Sequence, residues 1–72
     1  MDKIVLINTE KLEDDGFDLE FDIEAYLIDK DIRHATFRMG SQLEFSLFDV
    51  DIIIYNMFVI NLKKCNIDFI EK

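Results

Sequence analysis

The sequence predicts a mainly β fold, a small antiparallel meander sheet within a single acidic domain over residues 1–72. Three observations support it: strict alternation of apolar and polar residues over 17–27, dense β-branched and aromatic residues elsewhere, and a turn signal at Gly40-Ser41. Strands are expected at residues 3–8, 17–28, 32–39, 43–50, 57–62 and 67–71. Residues 51–62 leave two alternatives, strand or helix, and a helix there makes the fold α+β.

The segment 17–28 has the clearest pattern in the chain. Six apolar residues from Phe17 to Leu27 occupy alternate positions, and four acids and Tyr26 occupy the positions between them. A period of two predicts a strand with one buried face. Residues 3–8 form a further expected strand, and an acidic connection follows it over 10–16.

The register of the central meander follows from the loop lengths. Three-residue loops at 29–31 and 40–42 keep the apolar residues of the three central strands on one face. A two-residue loop at either turn would place apolar side chains opposite charged ones. The preferred register puts Arg38 between Asp22 and Glu44, where it neutralises one end of the polar face.

The segment 51–62 carries opposing signals. Its five β-branched residues favour a strand, and its polar residues do not gather on one helical face. Its length suits three helical turns, and Ser46 with Asp49 resembles a weak capping box. We favour a strand and keep the helix as the alternative, followed by a turn at 63–66.

Charge and cysteine content exclude several classes of protein. The 72 residues carry 16 acids and 8 basic residues, a net charge of −8, which argues against direct binding of nucleic acid or anionic lipid. The excess is concentrated in residues 1–30, with ten acids and three lysines. One cysteine excludes an internal disulfide, and no apolar run suits a signal peptide or membrane span. We therefore expect a cytoplasmic protein with no membrane contact.

Catalytic and metal-binding chemistry is not expected. The single histidine, His34, and the single cysteine, Cys65, are far apart in sequence, and so small a domain has little room for a cleft around them. A calcium loop with Gly16 at its sixth position would begin at Lys11, where a carboxylate is required. No glycine pattern for phosphate binding is present. We predict no enzyme, no cofactor and no metal.

The acidic face of the predicted strand suggests a function. Asp18, Glu20, Asp22 and Glu24 would recur about every 6.6 Å, close to the spacing of successive phosphates, and Asp14 and Asp15 extend the negative field. We expect an inhibitor that presents this carboxylate row to the basic groove of a nucleic-acid-handling or defence protein, as a nucleic-acid mimic. Plain solubility and weak divalent binding are the alternatives.

A second surface suggests a different function. In the predicted register, five apolar residues cluster on the outer face at the end opposite the acids. They form an oligomer or core patch: Tyr26, Ile28, Ile32, Phe48 and Val50. The C-terminal segment is expected to cover this patch, and a homodimer is the alternative. The alternative function is a structural or assembly subunit.

Overall fold

The computed structural model describes residues 1–72 and contains four strands and two helices. The strands are β1 (Lys3–Asn8), β2 (Arg33–Met39), β3 (Gln42–Phe48) and β4 (Phe69–Glu71). The helices are α1 (Phe17–Asp29) and α2 (Ile52–Lys64). The antiparallel sheet and the α+β alternative are confirmed.

The sheet has the order β2-β3-β1-β4, and every neighbouring pair is antiparallel. The chain therefore follows the β-α-β-β-α-β course of ferredoxin-like folds, in which two strand–helix–strand units interleave. Both helices contribute to a single core against one face of the sheet, and the other face is left open. This arrangement serves many unrelated functions, so the function has to be argued from the surface.

The core lies between the helices and the sheet. Thirteen apolar residues form it, drawn from the inner faces of β1 and β3, from both helices and from the residues just beyond α1 and β3. They are Val5, Ile7, Ile23, Leu27, Ile32, Leu43, Phe45, Leu47, Val50, Tyr55, Phe58, Val59 and Leu62. Because β2 and β4 are edge strands with no residue in this core, the centre of the molecule is β1–β3 beneath the two helices.

The strand predicted at 17–28 is wrong, because this segment forms α1. Its alternating pattern also contains a helical stripe, in which Leu19, Ile23 and Leu27 recur every four residues and face the core. Leucine, glutamate and alanine have high helix propensity, and Asp18 and Glu20 in the first turn favour the helix N-terminus. The predicted pairing of this segment with 32–39 is wrong for the same reason.

The residues predicted as a hairpin loop at 29–31 end α1 instead. Asp31 has a left-handed backbone (φ 57°), and the Ile32 amide donates to the Leu27 carbonyl at 2.9 Å. This is the Schellman arrangement, in which the last turn bonds back to the helix and the next apolar residue is buried. The end of α2 repeats it with Asn66 (φ 55°) and Ile67.

The strand predicted at 57–62 is also wrong, and the helical alternative for 51–62 is confirmed. Asp51 caps α2 by accepting a hydrogen bond from the Ile53 amide at 2.8 Å, so the pair Ser46 and Asp49 is not the cap. The buried stripe of α2 contains Tyr55, Phe58, Val59 and Leu62. The outer face of α2 is also apolar, so the helix has no polar face that the sequence could reveal. This is why the segment was predicted to be a strand.

The β2–β3 hairpin turns through two residues, Gly40 and Ser41, since Met39 pairs with Gln42. The predicted three-residue loop 40–42 is therefore wrong. Gly40 alone takes a positive φ (60°), as a type II′ turn requires. The one-residue shift moves Arg38 to the helix side of the sheet, so the predicted triad of Asp22, Arg38 and Glu44 is wrong as well.

Candidate functional site

A groove with a volume of about 820 Å³ lies between α1 and α2. Its floor is apolar and comes from both helices and from the loops that follow β1 and α2. The apolar lining is Leu12, Leu19, Ile23, Tyr26, Phe58, Leu62 and Ile67. This size and lining are typical of sites that take an apolar ligand or the apolar side chains of a partner.

Tyr26 and Phe58 join the two sides of the groove. Their ring centroids are 5.8 Å apart with the planes tilted by 34°, a favourable aromatic contact. The Tyr26 hydroxyl is buried and has no hydrogen-bond partner. An unsatisfied buried hydroxyl costs about 1–3 kcal/mol, so this side of the groove is less stable than its apolar packing alone suggests.

The rim of the groove is polar and more acidic than basic. Asp22 and Asp68 contribute carboxylates, Lys11 contributes one amine, and the remaining polar rim residues are uncharged. Asp18 lies one turn before Asp22 on the same side of α1. The groove is therefore bordered by negative charge along its α1 side.

The straight row of four carboxylates predicted for a strand is wrong, because each helical residue is turned by about 100° from the last. The four acids form two pairs on opposite flanks of α1. Asp18 and Asp22 lie toward the groove and are exposed, and Glu20 and Glu24 lie toward β2 and are half-buried. The two flanks therefore have different surroundings.

The flank toward β2 is partly neutralised by Arg38. Its Nη2 lies 3.6 Å from Glu20 Oε1, and its guanidinium stacks 4.4 Å from the centre of the Phe17 ring. The Nε and Nη2 groups of Arg38 are buried without a hydrogen-bond partner. Glu20 thus has a structural neighbour that Asp18 and Asp22 lack.

Asp14 and Asp15 lie in the loop before α1, and both are exposed. The Asp14 carboxylate accepts hydrogen bonds from the amides of Asp18 (2.9 Å) and Gly16 (3.1 Å). The Asp18 amide is the main reason that the pKa of Asp14 lies below its usual value. The pKa of Asp18 is raised, first by its side-chain hydrogen bond with Asp14 and then by the charge of that carboxyl group. These two acids are therefore a close pair.

Most of the negative charge has no cationic neighbour. Among 16 acids and 8 basic residues, the contact between Arg38 and Glu20 is the one ion pair within 4.0 Å. A surface with so few internal pairs keeps its field available to an oppositely charged partner.

The five residues of the predicted oligomer or core patch are not brought together. Ile32 and Val50 are in the core, and Tyr26 is half-buried in the groove. Ile28 is exposed on α1, and Phe48 lies on the open face of the sheet. They belong to four different environments because α1 replaced the strand that would have aligned them.

The other residues with reactive side chains have local roles. His34 Nδ1 donates to the Ile32 carbonyl at 2.9 Å, and Cys65 is an exposed free thiol at the end of α2. No group of three or more histidine, cysteine, aspartate or glutamate side chains is placed to hold a metal ion. Neither helix is long and apolar enough to cross a bilayer.

Comparison with known proteins adds no family to this description. A scan against protein-family models gives no match, and a search of curated proteins gives no significant match.

The groove was not found from the sequence. A signal was available in the spacing of its lining, since Leu19, Ile23 and Tyr26 follow a helical repeat, as do Phe58 and Leu62. The alternation over 17–27 concealed that repeat.

Proposed function

We propose that this chain is a non-enzymatic, acidic protein-binding module of the inhibitor type. It binds a basic partner, such as a nucleic-acid-handling or defence protein, through the groove between α1 and α2. The observation that carries the proposal is an apolar groove bordered by carboxylates that have no cationic partner within the chain. The proposal places the protein in the cytoplasm.

The groove suits a helical segment of the partner. An amphipathic helix can place its apolar side chains between α1 and α2 while its lysines and arginines meet Asp18, Asp22 and Asp68. The volume of about 820 Å³ accommodates several aliphatic side chains.

This mode of binding is not nucleic-acid mimicry, which would require a longer row of negative charges. The groove-side carboxylates Asp18 and Asp22 recur at about 6 Å along the helix axis, the rise of four residues. Two such charges beside an apolar groove favour a partner that offers both basic and apolar side chains. A partner that offers only positive charge would bind less tightly.

The test is calorimetric titration with a lysine–leucine peptide that has leucines at positions i, i+3, i+4 and i+7, so that it forms a basic amphipathic helix. We expect binding that weakens with salt, and weaker binding of an all-lysine peptide of the same charge. The variant Asp18→Asn/Asp22→Asn should weaken binding about fivefold, the loss expected when two rim charge contacts of about 0.5 kcal/mol each are removed.

Glu20→Gln/Glu24→Gln is the matched control, because it removes the same charge from the opposite flank. A second variant, Asn61→Trp, fills the groove from its exposed rim and should also weaken binding. Equal loss in both charge variants, or equal binding of the all-lysine peptide, would contradict the proposal.

A further inference from the structure

The open face of the sheet carries little charge, as does the outer face of α2, and differs in this from the acidic flanks of α1. Both helices lie on the other side, so the side chains of alternate strand residues on this face have nothing above them. Seven of the twelve side chains on this face are apolar: Ile4, Leu6, Ala35, Phe37, Met39, Phe48 and Ile70. Phe37 is 56% exposed, Met39 is 68% exposed and Ile70 is 64% exposed. These apolar residues lie on both sides of a polar column on β3, formed by Gln42, Glu44 and Ser46. Exposed apolar surface of this extent usually marks an interaction site.

The same face is almost free of the acidic charge found elsewhere. Its twelve side chains include one acid, Glu44, and one base, Arg33, whereas the whole chain has a net charge of −8. Because this face has no excess of negative charge, it does not attract a basic partner. The open face is suited to bind another surface that is also neutral and apolar.

We infer that this face binds a second copy of the chain, giving a two-fold symmetric dimer with the two sheets face to face. In a two-fold contact each residue pair occurs twice, so Arg33 of one copy meets Glu44 of the other in both directions. An axis that crosses the strands near Ala35 and Ser46 produces this pairing. The one acid and the one base of the face are thereby matched.

The electrostatic cost of joining two acidic chains is small in this arrangement. Facing sheets pack about 10 Å apart, and the helices with their carboxylates lie on the outer sides of both sheets. A dimer formed through α1 would instead bring the acids of both copies together. The grooves between α1 and α2 remain accessible in the face-to-face dimer, so it is independent of the proposed function.

The area available is small but sufficient for a dimer of modest affinity. Four strands spaced about 4.8 Å apart, with six or seven residues each on the longer three, give roughly 400 Å² of flat surface per copy. Protruding side chains such as Phe37 and Met39 raise the accessible area above that value. The total approaches the ~1,000 Å² of the smallest specific interfaces, which is the size range of weak or transient association. If the protein is instead a structural or assembly subunit, the alternative function stated above, this face is the surface through which it would assemble.

Sedimentation equilibrium of the full chain tests the inference. We expect a species of twice 8.6 kDa to form with rising concentration and little effect of salt. Phe37→Lys should raise the dissociation constant by about tenfold or more, because it replaces an exposed aromatic side chain of this face with a charged one. Phe21→Lys is the matched control: Phe21 is 72% exposed on α1, and its replacement should leave the dimer intact. Circular dichroism checks that both variants are folded.

A charge exchange tests the symmetry. Arg33→Glu and Glu44→Arg should each weaken the dimer, and the double variant should restore it. A monomer at every concentration up to about 500 µM, far above the range expected for such an interface, would overturn the inference. So would a dimer lost in Phe21→Lys but retained in Phe37→Lys, or a double variant no tighter than the single ones.

Discussion

Gly16 is the residue whose backbone the fold constrains most tightly. It lies just before α1 with φ 80°, and a Cβ added there would lie 2.6 Å from Thr9 Cγ2. Thr9 cannot move freely, because its amide and hydroxyl both donate to the Ser41 carbonyl, at 2.7 and 2.8 Å. The start of α1 is thus held against the end of β1 and the β2–β3 turn.

We predict that Gly16→Ala lowers the free energy of unfolding by about 2–4 kcal/mol, combining left-handed backbone strain with the clash at Thr9. Gly40→Ala is the control, since Gly40 also has a positive φ but a Cβ there meets nothing within 4 Å. It should cost about 1 kcal/mol, the backbone strain alone. Urea denaturation measures both, and equal losses would show that the contact with Thr9 is not tight.

The acid pair at the start of α1 predicts an unusual pH response. The lowered pKa of Asp14 means that its charged form stabilises the fold, and this contribution is lost as the pH falls through that pKa. The raised pKa of Asp18 means that its charged form is disfavoured, and protonation relieves the repulsion as the pH falls through that higher pKa. The two effects oppose one another.

We therefore predict that Asp18→Asn slightly raises the Tm at pH 7 and that Asp14→Asn lowers it. The gain from Asp18→Asn should vanish once the pH is below the raised pKa of Asp18, because the native residue is then neutral as well. Thermal melts at several pH values measure this. A fall in Tm at pH 7 for Asp18→Asn would contradict the assignment.

At the level of the elements, Tyr55 ties α2 to the short edge strand β4. Its buried hydroxyl donates to Glu71 Oε1 at 2.6 Å, and Lys3 Nζ lies 5.3 Å from the centre of its ring. Burial is the main reason that the pKa of Tyr55 is raised, and the Glu71 carboxylate raises it further. Phe69, also in β4, packs against the core beneath the helices.

We predict that Tyr55→Phe lowers stability at pH 7 by about 1 kcal/mol, the value of one hydrogen bond to a carboxylate that water partly screens. Because Tyr55 stays neutral in the fold, the native protein should lose stability as the pH rises above the usual tyrosine pKa of about 10. A phenylalanine side chain has no such proton to lose, so the variant should show a weaker alkaline loss. Equal alkaline profiles would show that Tyr55 ionises freely in the fold.

The sequence predicted β1, β2, β3 and the presence of a last strand, since their β-branched and aromatic residues have no competing helical pattern. It did not predict α1, because alternation over 17–27 and a helical repeat at 19, 23 and 27 coexist in the same residues. Helix propensity and the cap at Asp14 decided between them. The three-residue turn was wrong because Ala35, Phe37 and Met39 lie on the open face of the sheet, opposite the polar residues of β3, and not on the core face.

The candidate site could be predicted in composition but not in shape. The acids at 14–24 were recognisable as an excess of negative charge, and they remain largely unpaired in the fold. The groove beside them depends on how far α1 and α2 stand apart on the sheet, which no local pattern encodes. The open sheet face depends likewise on both helices lying on one side of the sheet.

The whole molecule thus has two distinct surfaces on opposite sides of one sheet. The helix layer carries the groove and most of the negative charge, and the open face is apolar and neutral. One side is suited to a basic partner and the other to a second copy. If the two surfaces have these separate roles, a basic partner should bind in the groove without contacting the open face.

The most direct measurement is an NMR titration of the isotope-labelled chain with the lysine–leucine helical peptide. The amide signals of Leu19, Asp22, Tyr26 and Asn61 in the groove should shift together and saturate. The signals of Phe37, Met39 and Ser46 on the open face should keep their positions. Shifts concentrated on the open face, or none in the groove at saturating peptide, would contradict the account.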